Sequence, residues 1–112
     1  MDLTSERDIA RLLHKHGFRF SKAMGQNFLI DGAVPEKIAS AAGIDDSFGV
    51  LEIGPGVGAL TGALSRRAAK VLSVELDRRL LPLLEETLAD FPNVRVIGGD
   101  ILKLDIGKTV TD

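Results

Sequence analysis

The sequence predicts an α/β fold, one half of a doubly wound parallel sheet, on three observations. Short apolar runs recur from Gly49 onward, at Val50 to Ile53, Val71 to Glu75 and Val94 to Ile97. Helical stretches separate them, about Ala59 to Arg67 and about Arg79 to Ala89, as in parallel strands joined by crossover helices. The first run passes directly into a glycine-rich turn, Gly54-Pro55-Gly56-Val57-Gly58. Right-handed crossovers lay such strands out in the order 3-2-1, with ligands expected at their carboxyl ends.

Ahead of the strands, Ile9, Leu12 and Leu13 share one face of a predicted helix from about Ser5 to His16. Thr4 or Ser5 serves as its cap and Gly17 as its stop. Phe18 to Asp31 follows neither a helical nor a strand period and contains Gly25, Gln26 and Asn27, so it is expected to be a loop pinned by Phe18, Phe20 and Phe28. A second helix is expected from Val34 to Ala42, closed by Gly43. The division is therefore residues 1–48, an N-terminal helical arm and capping loop, and residues 49–112, the first half of a Rossmann-like domain. No repeat, low-complexity tract or linker interrupts them.

Composition narrows the chemistry. With 112 residues, 45% of them hydrophobic, the chain suits one small domain with a thin core. No run nears the roughly 18 apolar residues of a membrane-spanning helix, and the charged N-terminus has no signal-peptide stretch, so a soluble cytoplasmic protein is expected. The absence of cysteine removes disulfides, thiolate nucleophiles and cysteine-based metal sites. His14 and His16 are too close on one helix to suggest zinc, so no metal is expected. The net charge of −2 is unevenly spread. Residues 1–22 hold five basic groups (Arg7, Arg11, Lys15, Arg19, Lys22) against three acids (Asp2, Glu6, Asp8), a basic arm ahead of an acidic body. Arg7, Arg11 and Lys15 fall on one helical face, a spacing that suits a phosphate backbone as well as a solvated surface.

The glycine turn is the main chemical signal. Gly54 and Gly56 permit a tight turn and close approach of a ligand to the backbone, at the start of a helix whose first N–H groups are free. Gly54-x-Gly56-x-x-Ala59 also satisfies the dinucleotide fingerprint, and Glu75, about 20 residues on, is placed to accept hydrogen bonds from both hydroxyls of a ribose. These features alone suit NAD as well as a methyl donor. Glu52 before the glycines and Asp100 after Gly98-Gly99 add carboxylates to the same crevice. Such a crevice repels pyrophosphate and attracts a sulfonium and an ammonium group. Asp100 is placed to accept from an adenine amine, or to serve a turn.

Lys22 to Asp31 (Lys-Ala-Met-Gly-Gln-Asn-Phe-Leu-Ile-Asp), Val50 to Gly58, Val74-Glu75-Leu76-Asp77 and Gly99-Asp100 together resemble the bacterial ribosomal RNA small subunit adenine dimethyltransferases. The resemblance runs from about Asp8 to Asp105. The glycine turn is shared with most class I methyltransferases; the Gly-Gln-Asn-Phe-Leu segment is specific to this family and its close relatives. The resemblance implies a class I (Rossmann-like) fold, truncated to its first three parallel strands with helices on both faces and an N-terminal helical arm. It implies S-adenosylmethionine as cofactor, and small-subunit ribosomal RNA and the pre-30S particle as partners. Asn27 and Leu29 would then contact the cofactor from the N-terminal loop, which Gln26 helps order. Gly54, with Gly56 beside it, would lie against the cofactor's amino-acid part, Glu75 would hold its ribose and Asp100 its adenine amine.

Family members also carry an Asn-x-Pro-Tyr-type segment after a fourth strand, which holds the target adenine. This sequence contains no tyrosine, and its asparagines, Asn27 and Asn93, have no such context. No catalytic residue is therefore expected in these 112 residues, and the chain is expected to bind cofactor without transferring methyl groups. Its first strand, lacking its usual neighbour, offers an apolar edge for pairing with another copy. Three alternatives stand beside the leading one: a large-subunit RNA methyltransferase, an NAD-binding half-domain, and a non-catalytic RNA-binding or assembly module using the basic arm.

Overall fold

The structure, a computed structural model, describes Leu3 and residues 5–18 and 34–111. The order of elements is α1 (Glu6–Lys15), α2 (Val34–Ala41), β1 (Gly49–Ile53), α3 (Ala59–Ser65), β2 (Lys70–Glu75), a 3₁₀ turn (Arg78–Leu80), α4 (Leu81–Thr87), β3 (Val94–Gly98) and α5 (Ile106–Thr111). The strands form one parallel sheet in the order β1-β2-β3. The expected 3-2-1 half of a doubly wound sheet is present.

Register decides which side chains share a face. Val50, Val71 and Val94 lie side by side, as do Glu52, Ser73 and Val96, and Glu75 sits opposite Gly98. With a strand period of two, all of these point the same way. Two apolar clusters cover that face. Ala39 of α2 joins Leu64, Ala68 and Val71, with Val50 and Val94 packed against them. Ile9, Leu12, Leu13 and Phe18 join Val57, Leu80, Leu83, Leu84 and Leu88, with Val94 and Val96 alongside. Helix α1 is thus built into the same core as the sheet. Its three buried apolar side chains contribute about 1.5–3 kcal/mol each.

On the opposite face Leu51, Leu72 and Arg95 line a groove of about 570 Å³ together with Thr109 of α5. Leu51 and Ile53 are exposed there.

The caps explain the element ends. Ser5 Oγ accepts from the Asp8 N–H at 3.4 Å and starts α1. Gly17, at φ +82°, ends it by letting Phe18 N–H reach Leu13 O at 2.8 Å. The expected helix from Arg79 begins instead as a 3₁₀ turn capped by Asp77, whose Oδ1 accepts from Arg79 N–H at 3.0 Å. The α-helix proper starts at Leu81 because Pro82, which has no N–H to donate, is tolerated in the first turn. Asn93 closes α3 from a distance: its Nδ2 donates to Ser65 O at 2.8 Å and to Ala68 O at 3.2 Å. Helix α5 was not anticipated. Asp105 starts it, accepting from Lys108 N–H at 3.1 Å through Oδ1.

Candidate functional site

At the carboxyl end of β1 the chain reverses through three glycines in the left-handed region: Gly54 at φ +73°, Gly56 at +60° and Gly58 at +97°. Side chains rarely adopt this conformation. The turn is fixed at both ends. Gly54 N–H donates to Val74 O of β2 at 2.9 Å, and Gly58 N–H closes back onto Pro55 O at 2.9 Å. Gly58 O then accepts from Gly62 N–H at 3.0 Å as the first bond of α3. Between them Val57 is buried against α1 and α4. Gly58 serves close packing as well as backbone shape, since a Cβ there would lie 3.0 Å from Thr87 Oγ1 and 3.1 Å from Leu88 Cδ2.

Glu75 ends β2 beside this turn and is 7% exposed. Its Oε2 accepts from Asp77 N–H at 3.0 Å, and its carbonyl accepts from Gly99 N–H at 3.0 Å, which ties the end of β3 to it. Gly98, in register with Glu75, lies under Leu81: a Cβ there would be 2.8 Å from Leu81 Cδ1. Asp100, two residues on, uses Oδ1 to accept from Leu102 N–H at 2.9 Å, the turn role open to it in the sequence. The structure thus brings Gly54, Gly56, Glu75 and Asp100 to the carboxyl ends of three adjacent strands.

Glu52 departs from the expectation that it faces the crevice. It shares the helix-covered face with Val50 and is 8% exposed. Its Oε1 accepts from Thr61 Oγ1 of α3 at 2.5 Å and from Ser73 Oγ of β2 at 2.8 Å. Thr61 and Ser73, both fully buried, were not singled out from sequence. A polar residue at an inward strand position, directly across from an acid, was the available signal.

The basic arm is split. Arg7 and Arg11 are exposed on α1, whereas Lys15 is paired with Glu86 Oε1 of α4, and His16 Nε2 stands 3.1 Å from Glu86 Oε2. The Lys15 hydrogen bond first, and that from His16 second, hold the Glu86 carboxyl below its ordinary range. Nearby, Arg79 forms a two-pronged pair with Asp77, at 3.0 and 2.8 Å, and lies over the Phe18 ring at 5.2 Å from its centroid. The Arg79 side-chain bond is the main cause that lowers the Asp77 carboxyl. Arg19, Lys22, Gln26, Asn27 and Leu29 lie outside the described residues. Among the described residues no cluster of metal-binding side chains occurs, and no helix is long and apolar enough to cross a membrane.

Comparison with known proteins places this geometry. The ribosomal RNA small subunit methyltransferase A of Staphylococcus haemolyticus is 50% identical over 109 residues, covering 97% of this chain. The chain spans only 37% of that relative's length. Among solved structures, the 23S rRNA methyltransferase ErmE superposes with a TM-score of 0.63 at 40% identity, over 67% of this chain and 31% of its own. A dimethyladenosine transferase from Plasmodium falciparum superposes with a TM-score of 0.60 at 34% identity, over 66% of this chain and 28% of its own. The family model described as ribosomal RNA adenine dimethylase matches residues 17–112, from the end of α1 through the glycine turn, Glu75 and Asp100. The chain belongs to the ribosomal RNA adenine dimethylase family.

Proposed function

We propose that this chain is the S-adenosylmethionine-binding part of an enzyme that dimethylates the exocyclic amines of adenines in small-subunit ribosomal RNA. The observation that carries the reading is the buried Glu75 standing beside a turn of three left-handed glycines, at the carboxyl ends of adjacent parallel strands. The residues present fit the cofactor. Gly54, where an added Cβ would meet nothing within 4 Å, leaves backbone open where its amino-acid part would lie, with half-buried Gly56 beside it, and Glu75 has a carboxylate for the two ribose hydroxyls. Asp100 has one for the adenine amine. Gln26, Asn27 and Leu29 are assigned to the same ligand. When bound, the cofactor supplies an electrophilic methyl group on a sulfonium.

An adenine amine is a weak nucleophile because its lone pair is delocalised into the ring, so an enzyme must hold the extruded base in a geometry that aims that lone pair. The 112 residues contain no tyrosine and no Asn-x-Pro-Tyr segment to do this. The chain by itself therefore binds the methyl donor and transfers nothing. Exposed Arg7 and Arg11, with Arg19 and Lys22, are assigned to RNA phosphates; Lys15 contributes less, being engaged by Glu86. The RNA partner is assigned to the pre-30S particle in the cytoplasm.

The small-subunit target is favoured over the large-subunit one by the greater likeness to the small-subunit relative, 50% over 97% of the chain against 40% over 67% for ErmE. The NAD alternative accounts for the glycines and Glu75 but not for the family match from residue 17 onward. A non-catalytic RNA-binding module remains the behaviour expected of the chain when cofactor is withheld. Edge pairing with a second copy is a further part of the proposal, since Ile53 of β1 is 61% exposed at the sheet edge; sedimentation equilibrium reads it.

The test combines thermal denaturation with mass spectrometry. S-adenosylmethionine raises the melting temperature and NAD does not, and small-subunit RNA incubated with chain and donor contains no dimethyladenosine. Stabilisation by NAD alone, or dimethyladenosine above background, overturns the proposal.

A further inference from the structure

We infer that Glu52 is a positioning residue: through Thr61 and Ser73 it holds the left-handed glycine turn in its ligand-ready shape, without touching the ligand. The inference rests on the cofactor reading above and specifies how the turn is kept ready.

The geometry is a three-way staple on one oxygen. Oε1 of Glu52 on β1 receives Thr61 Oγ1 from α3 and Ser73 Oγ from β2. Glu52 precedes Gly54 by two residues, and Thr61 follows Gly58 by three, so the two attachment points bracket the turn. The third arm reaches Ser73, the residue beside Val74, whose carbonyl receives the Gly54 N–H at 2.9 Å. Two backbone anchors of the turn, Gly54 N–H to Val74 O and Gly62 N–H to Gly58 O, therefore lie within a residue of the staple, while Val57 and Gly58 are held separately against α1 and α4. Thr61 and Ser73 are fully buried and Glu52 is 8% exposed, so water does not compete effectively for these bonds. Hydroxyl donors to a carboxylate are among the shorter and stronger hydrogen bonds.

Three left-handed glycines within five residues are a costly arrangement to maintain, because glycine backbone samples more alternatives than any other. Left unsupported, the turn would populate its ligand-ready form for only part of the time, and apparent affinity falls in proportion to that fraction. A carboxylate serves better than an apolar residue here because one oxygen gathers two donors from two different elements.

The experiment uses the chain with the hydroxyls removed in a Thr61→Val, Ser73→Ala double variant, and with Thr61→Ser as the conservative control that keeps the donor. Two readouts are taken: S-adenosylmethionine affinity by calorimetry, and the amide ¹H–¹⁵N positions of Gly54, Gly56 and Gly58 without ligand. The double variant should bind about tenfold more weakly, the loss expected if the ready form falls to roughly a tenth of the population. Its three glycine amides should move, and Thr61→Ser should restore both. Circular dichroism checks folding, and the single Ser73→Ala variant replaces the double one should that unfold.

Glu52→Gln separates positioning from direct contact, because its amide oxygen still accepts both hydroxyls while the charge is gone. A smaller loss in Glu52→Gln than in the double variant supports positioning. Unmoved glycine amides and unchanged affinity in the double variant, with affinity abolished in Glu52→Gln, would overturn it in favour of a direct charge contact. If the unmodified chain binds no S-adenosylmethionine, the cofactor reading fails, and the glycine amides still decide whether the staple holds the turn.

Discussion

Replacing Gly58 by alanine tests whether the glycine turn is held as tightly against α4 as the structure shows. At φ +97° a side chain is strained, at about 1–2 kcal/mol. The new Cβ would also meet Thr87 Oγ1 at 3.0 Å and Leu88 Cδ2 at 3.1 Å. Leu88 is 7% exposed and packed among Ile9, Leu83 and Leu84, so it yields only by pushing into the core, an overpacking cost of about 1–3 kcal/mol. Alanine's lower unfolded-state entropy offsets about 0.4–1 kcal/mol of this. The net loss of about 1.5–4 kcal/mol corresponds to a fall of about 6–16 °C in melting temperature, at about 4 °C per kcal/mol for a domain of this size. Gly54→Ala is the matched control, since its φ is +73° but nothing lies within 4 Å of the added Cβ; it should lose about 1 kcal/mol, the backbone part alone. The assay is thermal and urea denaturation followed by circular dichroism. Equal stability of the two variants would refute the close contact between turn and α4.

Further expectations follow from the charged groups. In Glu86 the folded carboxyl is held below its ordinary value near 4.5, so its pairing stabilises the protein above that value and the contribution is lost as pH falls through the lowered folded value. The melting-temperature gap between the unmodified chain and Glu86→Gln should therefore be present at neutral pH and close in acid; a gap that widens in acid contradicts the Lys15 and His16 pairing. In RNA binding, each lost phosphate contact should flatten the slope of log affinity against log salt by about 0.7–0.9. Filter binding should show this for Arg7→Ala and Arg11→Ala, and a smaller change for Lys15→Ala, whose ammonium is already paired with Glu86. Gly98→Ala, with a Cβ 2.8 Å from Leu81 Cδ1, should destabilise the chain more than Gly49→Ala, which meets nothing within 4 Å; chemical denaturation reads the difference.

The strands and α1 were legible because their signals are local. Val71 to Glu75 and Val94 to Ile97 each stand within one residue of the observed strands, and Ser5 and Gly17 mark the ends of α1 through their own side chain and backbone. What escaped depends on contacts distant in sequence. Lys15 looked like a free member of a basic stripe because its spacing from Arg11 is visible, whereas Glu86, 71 residues away, is not. The charge of Glu52 points to the crevice, whereas the strand alternation it shares with Val50 places it inward. The helix expected from Arg79 begins as a 3₁₀ turn and becomes α-helical at Leu81, with Pro82 in its first turn as the local signal of that start. Helix α5 was missed because Gly107, Thr109, Val110 and Thr111 are weak helix formers, and only Asp105 announces it.

The central claim is that this chain binds S-adenosylmethionine at the glycine turn and that Glu75 holds it. Calorimetric titration of the chain with S-adenosylmethionine, alongside Glu75→Ala, tests it most directly. The account predicts saturable heat for the unmodified chain and an affinity lower by about 1.5–3 kcal/mol in the variant, the value of a hydrogen bond to a charged group. Equal affinities for the two proteins would contradict it.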